Sequence, residues 1–175
     1  MSKTASSNEQ LVSELCPKCG LCCNGVLFGD VELQRADDPK RLGEAGMVLS
    51  HKGRKLCFNQ PCACFDGKWC GIYADRPRRC RTFVCGLLKQ VQVDELSIVV
   101  ALRSIAEARR LSEEVRRLVR ELGHTDEGLP LNRRYAALIA QPIDLAADDE
   151  RIERRSELML AVDKLVKILE RDFLA

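Results

Sequence analysis

Cysteine residues lie near the start of this chain in a pattern that suits metal binding. The run from Cys16 to Cys23 has the form C-x2-C-x2-C-C, and all ten cysteines of the 175 residues fall between Cys16 and Cys85. Two cysteines at C-x2-C spacing direct their sulfurs to one point, and Gly20 permits a tight backbone next to them. Thiolates prefer Zn²⁺, Cu(I) and iron–sulfur clusters to hard cations. The pattern therefore predicts a soft-metal site and is compatible with more than one metal.

Three other roles for cysteine fit the chain less well. A disulfide framework belongs to secreted proteins, whereas residues 1–10 are polar and lack the apolar stretch of a signal peptide. Buried free cysteines need no regular spacing, and a thioredoxin-like motif would require a βαβ pattern around Cys16–Cys19. No apolar run approaches the roughly 18 residues of a membrane span. We therefore expect a cytoplasmic protein with reduced thiols and no membrane partner.

The second half of the cysteine-rich region contains a helix start. Asp75 followed by Pro77 predicts a helix capped by the Asp75 carboxylate, which would place Cys80 in its first turns. The helix dipole and the neighbouring arginines would then favour the thiolate form of Cys80 and lower its pKa. Arg76 and Arg81 flank Cys80, and we predict that their guanidinium groups donate N–H groups to metal-bound sulfur.

Positive charge is concentrated in the same part of the chain. The formal net charge is only +2, but residues 51–90 contain nine lysines and arginines against Asp66 and Asp75. Nucleic-acid binding would explain such a segment, yet the sequence shows none of the recognised nucleic-acid-binding modules. We expect the cations to offset the negative charge of metal-bound thiolates, and we expect no nucleic-acid partner.

The residues after the last cysteine predict helices. Apolar residues recur in steps of three and four over 94–122, which predicts a long amphipathic helix that ends at Gly123. A short helix is predicted over 131–140, and a final helix after Pro142. Each long helix has one apolar face, so the simplest arrangement packs them on each other or over the cysteine region.

The predicted fold class is mainly α. An irregular cysteine-rich metal-binding domain with short strands, residues 11–90, would be covered by long antiparallel helices from residues 91–175, and both parts would form one compact unit. Residues 1–10 are predicted to be a disordered tail. A short strand or hairpin is predicted within residues 24–34, and an irregular loop from Ser50 to Cys70.

The combined motifs resemble the YkgJ-type cysteine-cluster family, which is named for its CxxCxxCC motif and described as a zinc- or iron-chelating domain. The resemblance covers about residues 16–90 and includes Ile72-Tyr73, Arg76-Pro77 and Cys80-Arg81 beside the cysteines. Cys57 and Cys64 lie outside the family pattern and are extra candidates. The positions that the resemblance implies as metal ligands are Cys16, Cys19, Cys22, Cys23, Cys62, Cys70, Cys80 and Cys85.

The resemblance leaves the biochemical role open. Flagellin lysine N-methylases contain a similar domain and are associated with iron–sulfur chemistry, but this chain is much shorter and a methylase activity does not follow. The first hypothesis is a protein that holds an iron–sulfur cluster, [4Fe–4S] in the simplest case, or zinc, and serves electron transfer or protein modification. The alternatives are a non-catalytic zinc-stabilised module that binds a protein partner through its helices, and a metal storage or delivery protein. No catalytic residue is assigned, and whether the protein is an enzyme stays open.

Overall fold

A computed structural model describes residues 3–142 and 149–174, with side chains from Gln10 onwards within those ranges. The described residues are mainly helical. A 3₁₀ turn covers Tyr73–Asp75, and a π-helical turn, Leu169–Phe173, extends the last helix. The α-helices are α1 (Lys3–Cys19), α2 (Pro39–Glu44), α3 (Arg78–Thr82), α4 (Gly86–Gln92), α5 (Ile98–Glu121), α6 (Leu131–Ile139) and α7 (Asp149–Ile168).

In the sequence, the strands of a small antiparallel sheet come between α1 and α3. Its strands are β1 (Asp30–Glu32), β2 (Leu49–Lys52) and β3 (Lys55–Asn59), in the order β1-β3-β2. β2 and β3 form a hairpin in which Lys52 pairs with Lys55 across a two-residue turn. The irregular loop predicted from Ser50 is therefore wrong over this hairpin. The missed signal is Gly53, whose φ of 59° suits the tight turn.

The main core is built around α5. Side chains from α1, α4, α6 and α7 pack with it, and α5 and α7 are in extensive contact. The buried positions of α5 recur in steps of three and four, which confirms the amphipathic helix predicted from the sequence. A second, smaller core of Leu42, Met47 and Phe58 lies under the sheet. The buried apolar residues of α5 are Ala101, Ile105, Ala108, Leu111, Val115, Leu118 and Val119.

Helix ends follow the predictions in some places and depart from them in others. Gly123 follows α5 with a φ of 92°, as predicted for its C-terminal glycine. The first helix begins at Lys3, inside the range 1–10 for which a disordered tail was predicted; residues 1 and 2 lie outside the described residues. α1 therefore covers most of that range, and its residues Leu11 and Leu15 pack against the main core.

The predicted cap of α3 is wrong. Asp75 lies in the preceding 3₁₀ turn and pairs with Arg41 at 2.6 Å, so its carboxylate does not reach the helix start. The N–H of Arg78 instead donates to Asp37 Oδ1 at 2.7 Å. A side chain 41 residues away in the sequence therefore takes the capping role.

No helix in the described parts of the chain combines the length and the apolar character needed to cross a membrane.

Two leucines of α7 provide a test of the core. Leu158 is 0% exposed and Leu160 is 63% exposed, although both lie on the same helix. We expect Leu158→Ala to lower the free energy of unfolding by about 2–5 kcal/mol, because it leaves a cavity under α5. Leu160→Ala should change it by less than about 0.5 kcal/mol. Urea unfolding of both variants measures the difference, and equal losses would contradict this packing.

Candidate metal centre

The first cysteines lie at the end of α1. Cys16 and Cys19 are three residues apart on this helix, so their side chains share one face. The N–H of Gly20 donates to Cys16 O at 3.0 Å, and the N–H of Cys23 donates to Gly20 O at 3.0 Å, which turns the chain sharply after the helix. Gly20 has a φ of 69°, and a Cβ there would lie 2.8 Å from the Cζ atom of Phe65. Glycine is therefore required for both backbone and packing reasons.

Cys85 joins the α1 cysteines from a distant part of the sequence. It is the N-cap residue of α4, and α4 packs against α1. Cys85 and Cys19 both lie against the main hydrophobic core. The two helices therefore place the two cysteines on the same side of the molecule.

Cys23 faces a different set of cysteines. Its carbonyl accepts a hydrogen bond from the N–H of Cys62 at 2.8 Å, which joins the first cysteine run to the loop after β3. Cys70 is held beside that loop by an isolated β-bridge to Phe65. Cys80 lies on α3, and both Cys62 and Cys80 pack against the second core. These contacts link Cys23, Cys62 and Cys70 through neighbouring backbone, and Cys62 and Cys80 share the second core.

The first set of thiols is strongly desolvated. Burial, followed by repulsion from Cys85, raises the pKa of Cys16 to about 11, although the residue as a whole is exposed. Burial also raises the pKa of Cys19 to about 12, with smaller contributions from Cys85 and Cys16. The pKa of Cys22 is raised by burial and then by Cys19, Cys23, Cys85 and Cys16. Each pair among Cys16, Cys19, Cys22 and Cys85 thus interacts, and we call these four residues the first sulfur group.

The second set behaves in the same way. Burial raises the pKa of Cys23 to about 12, and the next causes are repulsion from Cys80 and Cys70. Burial likewise raises the pKa of Cys62 to about 12, with repulsion from Cys64 and then from Cys23 and Cys70. The pKa of Cys80 is raised to about 12 by burial, Cys62 and Cys70. Each pair among Cys23, Cys62, Cys70 and Cys80 interacts, and we call these residues the second sulfur group.

The raised pKa of Cys80 corrects one prediction. The start of α3 and the neighbouring arginines were expected to lower this pKa. Burial and the thiols of Cys62 and Cys70 outweigh the opposite effect of Arg76. The thiol of Cys80 is therefore stable in its neutral form, and a metal that bound it would have to displace its proton.

The donor set fits a soft metal, although the side chains need to close around it. As they stand, no three His, Cys, Asp or Glu side chains of the described residues converge on a point that could hold a metal ion. A cysteine side chain turns about the single χ1 bond, so binding of a cation by either group would require its sulfurs to rotate towards one point. Thiolate donors suit zinc and iron–sulfur clusters, and a bound cation would remove the repulsion within each group.

Comparison with known families gives one match. Residues 15–97 match the model of the CxxCxxCC family, described as a putative zinc- or iron-chelating domain. Residues 15–97 are thus similar to this family, and we call them the CxxCxxCC domain after the match. The family description supports metal binding in general and covers both zinc and iron. Neither the curated proteins nor the solved structures gave a significant match.

The two arginines predicted to donate to sulfur occupy different surroundings in the CxxCxxCC domain. Arg76 lowers the pKa of Cys16, Cys23 and Cys80, so its charge acts on both sulfur groups. Its guanidinium carbon lies 3.6 Å from the ring centroid of Tyr73, and its Nε donates to Tyr73 O. Arg81 is exposed on α3. Donation from either guanidinium to bound sulfur stays a prediction.

The extra candidates Cys57 and Cys64 are also placed differently. Cys57 lies on β3, is only 2% exposed, and the causes of its raised pKa are burial and then Asp30. The thiol of Cys64 donates to Ala45 O at 3.3 Å and lies near Cys70 and the second sulfur group. Cys64 is thus a neighbour of the second sulfur group, whereas Cys57 belongs to the sheet.

Three of the cations of residues 51–90 pair with carboxylates of β1. Lys52 pairs with Asp30, and Lys55 and Arg79 pair with Glu32. Part of the positive charge of residues 51–90 is therefore balanced by two carboxylates of β1, which lie outside the range over which the charges were counted. Arg76 is the cation of this segment whose charge acts on several thiols.

Sequence reasoning missed two arginines of α5 that hold the first cysteine run. Arg109 Nη1 donates to Lys18 O at 2.7 Å, and Arg116 Nη2 donates to Asn24 O at 2.7 Å. They are seven residues apart, two helical turns, so both reach the same side of the CxxCxxCC domain from outside it. The N–H of Leu131 adds a third link to Gly25 O at 2.9 Å. The signal in the sequence was the spacing of seven residues between the two arginines. Other arginine pairs of α5 have the same spacing, so it did not single these two out.

The raised thiol pKa values predict proton release on metal binding. Because the pKa of Cys19, Cys23, Cys62 and Cys80 is about 12, these thiols carry their protons at pH 7. A metal must displace those protons, so its affinity should fall as the pH falls. We expect close to one proton released per bound cysteine when metal-free protein is titrated with Zn²⁺ in weak buffer, and none with Mg²⁺. Zinc binding without proton release would contradict the raised pKa values.

Arg116 provides a test of the links to α5. Its side chain is only 12% exposed, and Arg117 beside it is 48% exposed and pairs with Glu121. Arg116→Gln should lower the free energy of unfolding by about 1.5–3 kcal/mol, because it removes a charged hydrogen bond to Asn24 O. It should also speed the release of metal to a chelator, because the cysteine run is then less firmly held. Arg117→Gln is the matched control, and equal release rates would contradict the role of Arg116.

Proposed function

We propose that this protein is a cytoplasmic metal-binding protein that holds an iron–sulfur cluster or zinc through the thiolates of its CxxCxxCC domain. The observation that carries the proposal is the gathering of eight thiols from four separate segments into two neighbouring groups. Burial raises the pKa of Cys16, Cys19, Cys22, Cys23, Cys62, Cys80 and Cys85, and for the first six, neighbouring thiols raise it further. A hydrophobic core does not require thiols to be grouped in this way, whereas a bound soft cation would stabilise their thiolate forms.

The chain's own residues perform three tasks in this function. The cysteines supply sulfur, and backbone N–H groups face it: that of Leu21 favours the thiolate of Cys19, and that of Leu88 favours the thiolate of Cys85. Arg76 adds positive charge between the groups. Such N–H groups and charges raise the affinity for metal and tune the potential of an iron–sulfur cluster. When bound, a cluster supplies one-electron transfer, and zinc supplies a rigid structural link.

Exposed aromatic residues beside Cys70 support electron transfer as the role of the site. Trp69 and Tyr73, on either side of Cys70, are 53% and 45% exposed. Exposed aromatic residues next to a metal-binding cysteine offer a short route between the site and a redox partner.

A zinc-stabilised interaction module is the second candidate. The observation in its favour is a set of exposed valines, Val93, Val99 and Val100, near the junction of α4 and α5. Exposed apolar side chains close together in sequence are typical of surfaces that bind another protein. In this case the metal would hold the fold and carry no electrons.

Metal analysis of anaerobically purified protein tests the proposal and separates the candidates. We expect bound iron with sulfide and a broad visible absorbance that bleaches on reduction. Zinc in a colourless protein would favour the interaction module. Protein that folds fully and holds neither metal after expression in zinc- and iron-supplemented medium would refute the proposal, since its thiols would then be accommodated in their neutral form without any cation.

A further inference from the structure

We propose that the CxxCxxCC domain contains two separate metal centres, one for each sulfur group. The first is bound by Cys16, Cys19, Cys22 and Cys85, and the second by Cys23, Cys62, Cys70 and Cys80. The proposal rests on the proposed function, because it presupposes that the thiols bind metal. It adds the number of centres and the ligands of each.

The backbone separates the two groups. Cys16 and Cys19 share a face of α1, and α4, which packs on α1, presents Cys85 at its first turn. The second group is assembled on other elements. The N–H of Cys62 donates a hydrogen bond to Cys23 O at 2.8 Å, and Cys80 lies on α3.

The two hydrophobic cores support the same division. Cys19 and Cys85 pack against the main core under α5. Cys62 and Cys80 pack against the second core of Leu42, Met47 and Phe58. Each group therefore packs against a different hydrophobic core, and the two cores are formed by different elements.

The boundary between the groups falls at the peptide bond between Cys22 and Cys23. Cys22 interacts most with Cys19, then with its chain neighbour Cys23, and then with Cys85 and Cys16, while the strongest thiol neighbours of Cys23 are Cys80 and Cys70. Apart from the interaction between these two adjacent residues, the thiol neighbours of Cys22 all belong to the first group, and the strongest ones of Cys23 belong to the second. Arg76 lies at this boundary, because its charge acts on Cys16 of one group and on Cys23 and Cys80 of the other.

The number of ligands also matches. A structural zinc ion takes four ligands in a tetrahedron, and four cysteines hold one iron–sulfur cluster. Two groups of four use every cysteine of the family pattern once. Cys57 stays on β3, and Cys64 remains a neighbour of the second group that is bonded to Ala45 O.

Metal stoichiometry of the native chain and of one variant in each group tests the proposal. We expect two centres per chain, seen as two zinc ions, two clusters or one of each. Cys19→Ser and Cys80→Ser should each halve the bound metal, and the double variant should lose nearly all of it. Cys57→Ala is the matched control and should keep the native stoichiometry. Native mass spectrometry and elemental analysis measure these values.

The outcomes separate this proposal from the proposed function. One centre per native chain, or loss of all metal from either single variant, would overturn the two centres and leave metal binding intact, because the eight sulfurs would then form one joint site. Protein without any metal would overturn both proposals. If a single variant fails to fold, Cys22→Ser and Cys62→Ser take its place, and the native stoichiometry decides without any variant.

Discussion

The repulsion between crowded, desolvated thiolates is the constraint on which the rest of the structure depends. Sulfurs at the end of α1, on α3 and at the start of α4 lie close enough for each to raise the pKa of its neighbours. The repulsion disappears when each thiolate takes up a proton and becomes a neutral thiol. A bound soft cation also removes it, and at the same time holds the segments together. The short elements between residues 20 and 85 therefore need little hydrophobic area of their own once metal is bound.

The helical part stabilises the site from behind. α5 supplies the centre of the main core and also two guanidinium groups that hold backbone carbonyls on either side of the first cysteine run, Lys18 O and Asn24 O. The turn that presents the sulfurs is thus fixed by a helix outside the matched domain. A CxxCxxCC domain cut after residue 97 would lose these contacts together with most of the main core.

The parts of the fold that sequence predicted are those that local periodicity determines. α5 followed from its apolar spacing and Gly123 from its position after the helix, because both depend on residues within a few turns of one another. The cap of α3 could not be predicted, since Asp37 approaches it from another element. The hairpin turn at Gly53 was hidden among polar residues. Cysteine spacing indicated the kind of site, but the partners of each sulfur depend on how α1, α3 and α4 pack.

The order of the cysteines along the chain has a consequence for protein synthesis. The first sulfur group joins three cysteines of the run at residues 16–23 to Cys85, and the second joins Cys23 to Cys62, Cys70 and finally Cys80. A ribosome adds on the order of 5–20 residues per second, so the early thiols wait several seconds before their last partner emerges. In that interval they are open to oxidants and to the wrong metal. Correct loading therefore depends on the reducing conditions around the nascent chain as much as on the affinity of the finished site.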